Sequence, residues 1–165
     1  MVSNVIIING SGSVGKDCFI DFCREFVSVT NVSSVDKIKE AANILGWRWT
    51  KEEEDRLFLS NLKILSTGYN NNPYEYIKES IIEFRKGQAP LRVMFIHIRE
   101  PLEIDKVKRA FECSTLLIKN INKPKIMSNM ADANVENYKY DYTINNDGDL
   151  NNLKEQAQIF MKEVL

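Results

Sequence analysis

Glycines and a lysine at fixed spacing directly follow the first apolar run of the chain, Val5 to Ile8. Residues 10–17 read GSGSVGKD, in which Gly10 to Lys16 complete a G-x-x-x-x-G-K pattern. In such a loop, successive backbone N–H groups point at phosphate oxygens, and the positive end of the following helix adds to the attraction. A lysine at the last position reaches the terminal phosphates, so Lys16 is a predicted catalytic residue. The pattern predicts that nucleotide phosphates are bound by Gly10, Ser11, Gly12, Ser13, Val14, Gly15, Lys16, Asp17 and Cys18.

Asp17 stands where this pattern usually has the Ser or Thr whose hydroxyl holds magnesium. A carboxylate there could hold the metal directly or through water. The alternative is simple capping, since an acidic side chain is favourable at a helix N-terminus. We therefore predict ATP and Mg²⁺ as cofactors and Asp17 as the metal ligand, with capping as the open alternative.

The same glycines also spell a competing fingerprint. Gly10, Gly12 and Gly15 match G-x-G-x-x-G, and Asp36 lies at about the distance at which an acid accepts a ribose hydroxyl of a dinucleotide. This interpretation predicts an NAD-linked enzyme. It gives no role to Lys16, however, and it normally requires a longer chain with a substrate domain. The phosphate loop is the favoured interpretation.

Arg99 is the second predicted catalytic residue. It follows the apolar run 93–98, at the carboxyl end of a predicted strand, which is where open α/β sheets bind ligands. A guanidinium suits phosphate oxygens, so we expect Arg99 to clamp a phosphate. The alternative is a salt bridge with Glu100 or Glu103. The single histidine, His97, is expected to be a packed side chain rather than a base.

The elements that must position these residues alternate along the chain. Apolar runs predict buried strands at 5–8, 27–32, 93–98, 115–118 and 143–144. Between them, helical spacing predicts inner faces made of Cys18, Phe22 and Phe26; Phe58, Leu62 and Leu65; Ile77, Ile81 and Phe84; Ile104, Val107 and Phe111; and Leu150, Leu153, Ala157, Phe160 and Val164.

This alternation predicts a three-layer α/β P-loop NTPase fold, with a mostly parallel five-stranded sheet and helices on both faces. We expect one domain over residues 1–165. The polar, unpatterned segment 120–137 is interpreted as a surface loop or a short lid.

Composition narrows the classes of function. The chain has 165 residues, 44% of them hydrophobic and 27% charged, with a net charge of −1. Such a balance argues against a nucleic-acid polymer or a membrane surface as partner. The three cysteines lack C-x-x-C spacing, which argues against a disulfide framework or a zinc site. We expect a cytoplasmic protein whose partner is a small molecule.

Three stretches resemble the phage deoxynucleoside monophosphate kinases and the animal phosphomevalonate kinases. The first is the GKD ending of the phosphate loop. The second, HIREPLEI at 97–104, is similar to their DVRxxxE block, with Arg99 and Glu103 matching and His97 in place of an aspartate. The third, DYTINNDGDLNNL at 141–153, resembles their closing D-x-x-I-x-N-D-G-x-L-x-x-L pattern. In addition, SVDKIKEAA at 34–42 is similar to a family segment that aligns Lys39 with a lysine, and Arg56 falls where acceptor-site arginines are expected.

The resemblance implies a P-loop kinase that moves the γ-phosphoryl group of Mg–ATP to a phosphorylated acceptor. A (deoxy)nucleoside monophosphate is the favoured acceptor, with Lys39 and Arg56 binding it. The alternative is a nucleotide-binding regulator or a degenerate kinase without transfer activity, because His97 replaces the acidic residue of the family. A GTPase is disfavoured, since NKPK at 122–125 has Lys125 where an NKxD motif has its base-reading aspartate.

Overall fold

Five parallel strands form the central layer of the chain, which the computed structural model describes over residues 4–50, 52–88, 91–123 and 135–165. The strands are β1 (Asn4–Asn9), β2 (Ser28–Ser33), β3 (Arg92–His97), β4 (Ser114–Lys119) and β5 (Tyr142–Asn145). Their order is β2-β3-β1-β4-β5, and every pairing is parallel. All five carboxyl ends therefore lie at the same edge of the sheet, where ligands bind in this class of fold.

Six α-helices flank the sheet within the described residues. They are α1 (Lys16–Arg24), α2 (Asp36–Ile44), α3 (Glu53–Asn70), α4 (Asn72–Lys86), α5 (Pro101–Phe111) and α6 (Leu150–Val164). A short 3₁₀ turn, Val135–Asn137, precedes β5. In these described ranges, no helix combines the length and the apolar character needed to cross a membrane.

Two hydrophobic cores cover opposite faces of the sheet. On one face, Ile6 of β1 belongs to a cluster with buried residues of α1 and α6. On the other face, the neighbouring Ile7 belongs to a cluster with buried residues of α4 and α5. Successive strand residues point to opposite faces, which explains why an uninterrupted apolar run supplies both cores. The predicted five-stranded sheet with helices on both faces is confirmed.

Most predicted helix faces are also confirmed. The predicted residues of α4 are buried, and Ile104 and Val107 of α5 are buried. In α6 the predicted stripe is buried at its centre, but Leu150 is 66% exposed and Met161 lies in the core. This face of the helix therefore packs against the core, and it includes Met161, which the predicted inner face did not.

The predicted inner face of α1 is wrong by one position. The residues that are buried on this helix are Phe19, Ile20 and Cys23. Phe26 lies beyond the end of the helix and is 38% exposed, while Cys18 and Phe22 only flank the core. Gly15, with a left-handed φ of 97°, directs the chain into the helix. One residue of offset rotates a helix face by about 100°, so this local turn decides which side meets the sheet.

The predicted inner face of α3 is only partly buried, since Phe58 and Leu62 are half-buried and Leu65 is exposed. Asp55 is the buried residue of this helix, and Leu65 is 69% exposed. The preceding loop explains the burial of Asp55, because Arg48 Nε donates to its carboxylate at 3.2 Å and Thr50 N donates at 3.1 Å. The helix is therefore attached through a polar contact, and much of its apolar surface faces outward.

Candidate functional site

The loop after β1 wraps tightly because three of its residues adopt left-handed backbone angles. These are Gly10 (φ 147°), Ser13 (φ 62°) and Gly15 (φ 97°). A Cβ atom on Gly10 would lie 2.4 Å from the carbonyl oxygen of Ile118 in β4, which is a backbone atom that cannot swing aside. The loop is thus seated against the carboxyl end of β4, and only glycine allows the approach.

Replacing Gly10 with alanine is expected to cost about 2–3 kcal/mol of stability, because both the φ angle and the close carbonyl oppose the side chain. Gly46→Ala is the matched control. Gly46 also has a positive φ of 86°, but an added Cβ would meet nothing within 4 Å. We expect about 1 kcal/mol there. Denaturant unfolding of both variants measures the difference, and equal losses would show that the contact with β4 does not constrain the loop.

Lys16 folds back across the loop. Its Nζ donates hydrogen bonds to the carbonyl oxygens of Gly10 at 2.6 Å and Ser11 at 2.7 Å. The ammonium therefore lies over the loop, held by backbone oxygens that a phosphate oxygen could replace. The same turn begins α1, since Phe19 N donates to the carbonyl of Gly15. The cation and the N-terminus of the helix consequently lie beside the same loop, which is the arrangement that binds nucleotide phosphates.

The closing motif at 141–153 braces this loop. Asn146 donates through Nδ2 to the carbonyl of Val14 at 2.9 Å, and its backbone N–H donates to Lys119 O at 2.7 Å. A Cβ on Gly15 would lie 2.4 Å from the same Nδ2. Asn146 therefore holds the loop from the side of β5. Sequence reasoning recognised the motif but did not identify Asn146 as a positioning residue.

Asn9, at the end of β1, holds the other side of the loop. This side chain is only 2% exposed. Its Oδ1 accepts from Gly10 N at 2.8 Å, and its Nδ2 donates to Arg99 O at 3.2 Å and to the hydroxyl of Tyr140 at 2.9 Å. One buried amide therefore joins the loop to two further segments. Sequence reasoning missed Asn9, although a polar residue that ends a buried apolar strand was a possible signal.

His97 ends β3 beside the loop. Burial lowers its pKa to about 4, with Asp17 and Asp36 opposing the shift and Lys16 and Lys39 adding to it. These four charged groups are therefore near enough to the imidazole to influence its pKa. Nε2 of His97 lies 2.9 Å from Oδ1 of Asn31 on the neighbouring strand β2. Three predicted site residues, Lys16, Asp17 and Lys39, thus lie within electrostatic range of His97.

The low pKa of His97 predicts a pH-dependent stability. An unfolded histidine has a pKa of about 6.5, so the unfolded chain takes up a proton that the folded chain accepts only near pH 4. The contribution of the neutral histidine to the free energy of unfolding should be fully present above about pH 6.5. It should decrease as the pH drops towards 4. The charges of Asp17, Asp36, Lys16 and Lys39 also influence this pKa.

His97→Asn should remove this part of the acid sensitivity, so its melting temperature should fall less than that of the wild type between about pH 7 and pH 5. Because the chain has a single histidine, NMR can follow its ring protons without assignment ambiguity. A ring that titrates near 6.5 in the folded protein would contradict the prediction.

Arg99 is exposed and lies two residues after the end of β3. Its carbonyl oxygen accepts a hydrogen bond from Nδ2 of Asn9. The two acids considered as its partners bind Lys63 of α3, with Nζ–carboxylate distances of 2.7 Å to Glu100 and 3.0 Å to Glu103. Burial disfavours the charged form of both carboxyl groups and therefore acts to raise their pKa values. At Glu100 the charge of Lys63, together with hydrogen bonds from Lys63, Glu103 and the backbone, nevertheless lowers the pKa, whereas burial and the neighbouring carboxylate raise the pKa of Glu103. This cluster attaches α3 next to Arg99.

The remaining predicted residues differ in how firmly the structure connects them to the site. Arg56 is half-buried on α3, seven residues before Lys63, so the two cations share one side of the helix. Cys18 packs against the core, which leaves its backbone N–H as the group that could bind phosphate. Of the segment 120–137, residues 124–134 with Lys125 lie outside the described residues.

The sheet order bears on the dinucleotide interpretation. A dinucleotide-binding sheet places its second strand beside the first, so that the acid after that strand reaches the ribose. Here β3 lies between β1 and β2, and Asp36 follows β2. Asp36 is therefore separated from the glycine loop by a whole strand, which disfavours the NAD interpretation.

No family model matches the chain, and no curated protein matches its sequence. Solved structures do match. A sugar kinase from Janibacter sp. has 11% identity and a TM-score of 0.59, covering 99% of this chain and 96% of that one. A shikimate kinase from Aquifex aeolicus has 11% identity and a TM-score of 0.53, with 96% of each chain covered. The TT1252 protein of Thermus thermophilus has 16% identity and a TM-score of 0.50 over the full length of both chains. The chain therefore shares its α/β fold with structures that include two kinases.

Proposed function

We propose that this protein is an ATP-dependent small-molecule kinase that transfers the γ-phosphoryl group of Mg–ATP to a phosphorylated acceptor, with a (deoxy)nucleoside monophosphate as the favoured acceptor. The observation that carries the proposal is the position of Lys16, whose ammonium lies 2.6 Å and 2.7 Å from two carbonyls of its own loop. The fold shared with a sugar kinase and a shikimate kinase supports the same class of reaction.

In this proposal the backbone N–H groups of residues 12–18 bind the donor phosphates. Lys16 exchanges its two carbonyl partners for phosphate oxygens and stabilises the charge that moves to the β–γ bridging oxygen. Lys39 and Arg56 bind the acceptor, and Arg99 holds donor or acceptor phosphates at the carboxyl edge of the sheet. A phosphate acceptor is already nucleophilic, so positioning supplies most of the rate and no general base is needed.

The residues present fit a magnesium ion. Mg²⁺ in kinases is usually held by one or two carboxylates together with substrate phosphates and water, rather than by a full protein cage. Asp17, exposed in the first turn of α1, supplies one such carboxylate. This agrees with the described part of the chain, which contains no cluster of three or more His, Cys, Asp or Glu side chains that could form a cage. When bound, the ion would neutralise charge on the phosphates.

Calorimetric titration with Mg–ATP, followed by an ADP-release screen over nucleoside monophosphates, tests the proposal. Binding of Mg–ATP and acceptor-stimulated ADP release are the expected results. NAD binding without ATP binding would overturn the assignment. GTP and ATP should be titrated in parallel, because a clear preference for GTP would also contradict an ATP-dependent kinase.

A second function, nucleotide binding without transfer, is favoured by one observation. His97 occupies the position of the acidic residue in the family that the sequence resembles, and its lowered pKa keeps the ring neutral near pH 7. A neutral imidazole does not replace the negative charge of a carboxylate next to a metal ion. Mg–ATP binding with no acceptor-stimulated turnover would favour this function. His97→Asp should then increase turnover if the missing charge is the cause.

A further inference from the structure

Seven large apolar side chains of α2, α3 and the loop between them face outward. We call them the α2–α3 surface. They are 59–89% exposed, and they are Ile44, Leu45, Trp49, Leu57, Ile64, Leu65 and Tyr69. Single exposed apolar residues are ordinary on protein surfaces, but a group confined to two adjacent helices indicates an interaction site.

Within α3 the exposed apolar residues follow the helical repeat. The side towards the protein contains Asp55, with half-buried Leu59 and Ser66 four and eleven residues later. On the opposite side, Leu57 and Ile64 are seven residues apart and therefore lie on one stripe. The outward side of the helix thus carries Leu57, Ile64 and Leu65 among small and polar side chains, and large apolar side chains that turn away from the core indicate an interaction site.

Small side chains separate the large ones on this stripe. Ser60 and Asn61 lie between Leu57 and Ile64, and both are exposed. Gly68 follows one turn after Ile64, and a Cβ added there would meet nothing within 4 Å. Large residues spaced by small ones provide the knobs and recesses that two packed helices need.

We propose that the α2–α3 surface binds a second copy of this chain, with the two α3 helices antiparallel about a two-fold axis near Asn61. Such an interface must be self-complementary, because each copy presents the same surface. The sequence of α3 meets this condition. Leu57 and Leu65 are each four residues from Asn61, so each would contact the other across the axis. Exposed Ile64 and half-buried Phe58, each three residues from Asn61, form the next such pair.

The charges of α3 select the antiparallel arrangement. Its first turn contains three acids, of which Glu54 and Asp55 share one ion-pair partner, Arg48, and its last turn has no basic residue, so this end stays negative. Parallel packing would place the acids of the two copies against each other. Antiparallel packing separates them and opposes the two helix dipoles, which is favourable.

The exposed area is sufficient for a stable dimer. Side chains of this size that are more than half exposed offer on the order of 100 Å² each, and seven of them approach the roughly 800 Å² per partner of a standard interface. A different protein could cover the same area, but it would not require the symmetric spacing about Asn61. The symmetric spacing about Asn61 therefore favours a second copy of this chain as the partner.

Trp49 supports an interface at this position. Its backbone has a positive φ of 61°, which is strained for a bulky residue, and its side chain is 59% exposed. Its indole Nε1 donates to Asn43 at 2.8 Å, and its ring lies 4.4 Å from that of Trp47. The loop thus holds an aromatic side chain in the outward position, and strain of this kind is retained mainly where the conformation has a use.

Light scattering and sedimentation velocity over a wide concentration range test the proposal. We expect a mass twice the 19.1 kDa of the chain, which dissociates on dilution. Ile64→Glu should weaken the dimer about 30-fold or more, since it places a charge at the centre of the interface. The matched control is Ile159→Glu. Ile159 lies on α6 and is 64% exposed, against 65% for Ile64, and its replacement should leave the dimer unchanged.

Cross-linking tests the axis itself. Asn61→Cys should form an intermolecular disulfide on mild oxidation, because the axis brings the two copies of this position together. Asn151→Cys, at an exposed asparagine of α6, should not. Circular dichroism on each variant confirms that it is folded. A wild-type monomer at all concentrations, a dimer unaffected by Ile64→Glu, or a dimer that Asn61→Cys does not cross-link would each overturn the proposal.

Discussion

Lys16→Ala should lower the turnover of Mg–ATP about 10²–10³-fold, the usual cost of removing one preorganised group that stabilises transferred charge. Mg–ATP binding should weaken as well, because in the proposed kinase the same ammonium binds the terminal phosphates. The folded protein should survive the change. The two hydrogen bonds that Lys16 makes to Gly10 O and Ser11 O are only partly buried, and losing them should cost about 1–2 kcal/mol.

Two further variants make this result specific. Lys162→Ala removes an exposed lysine in the last turn of α6 and should leave binding and turnover unchanged. Lys16→Arg keeps the charge but not the shape, and it should remain impaired, since a planar guanidinium does not fit the position of a compact ammonium. Calorimetry and an ADP-release assay on all three variants measure the effect. Undiminished Mg–ATP binding by Lys16→Ala would contradict the phosphate-loop assignment.

Features set by adjacent residues could be predicted from the sequence. The uninterrupted run from Val5 to Ile8 requires apolar surroundings on both faces, and so indicates a central parallel strand. The glycines at 10 and 15 indicate a loop with left-handed residues, and both have positive φ angles in the structure. Strands alternating with helices then leave few topologies, because parallel crossovers are right-handed and short.

Features that depend on distant residues could not be predicted. Asn146 and Val14 are 132 positions apart, so their hydrogen bond follows from the closed sheet and not from a local pattern. Burial sets the protonation of His97, and the sequence alone does not reveal burial. The outward side of α3 has an apolar pattern that resembles a core-facing helix, since both kinds of surface exclude water from the same residue types. A contact with another molecule therefore cannot be distinguished from a core contact by pattern.

Asn9→Ala should lower the stability by about 3–5 kcal/mol, the largest structural effect that we expect. Three partners would lose their hydrogen bonds to the amide at once: the N–H of Gly10, which is buried, and the part-buried carbonyl of Arg99 and hydroxyl of Tyr140. Each unsatisfied buried group costs about 1–3 kcal/mol. The melting temperature should fall by about 10 °C or more, given about 2–4 °C per kcal/mol for a chain of this size.

Asn9→Asp keeps the shape of the side chain but removes its N–H donor, so it tests the hydrogen bonds apart from the packing. The new carboxylate can still accept from Gly10 N, but it presents an oxygen to Arg99 O where the amide donated. Burial raises the pKa of Tyr140, so its hydroxyl stays protonated and donates to Val135 O at 2.8 Å. That proton could satisfy the carboxylate only by leaving Val135. We therefore expect Asn9→Asp to be nearly as unstable as Asn9→Ala, although the two residues have the same shape.

Tyr140→Phe should fall between these variants and the wild type, with a loss of about 1–2 kcal/mol, because it removes one hydroxyl and leaves the Asn9 amide bound to Gly10 and Arg99. The exposed Asn151→Ala should change the stability by less than about 0.5 kcal/mol. Denaturant unfolding orders the four variants. If Asn9→Ala were as stable as Asn151→Ala, the amide would not join the three segments. If the order holds, one side chain links the loop after β1 to Arg99. If the loop binds phosphate as proposed, Asn9→Ala should also weaken Mg–ATP binding, because the N–H of Gly10 loses its buried acceptor, Asn9 Oδ1.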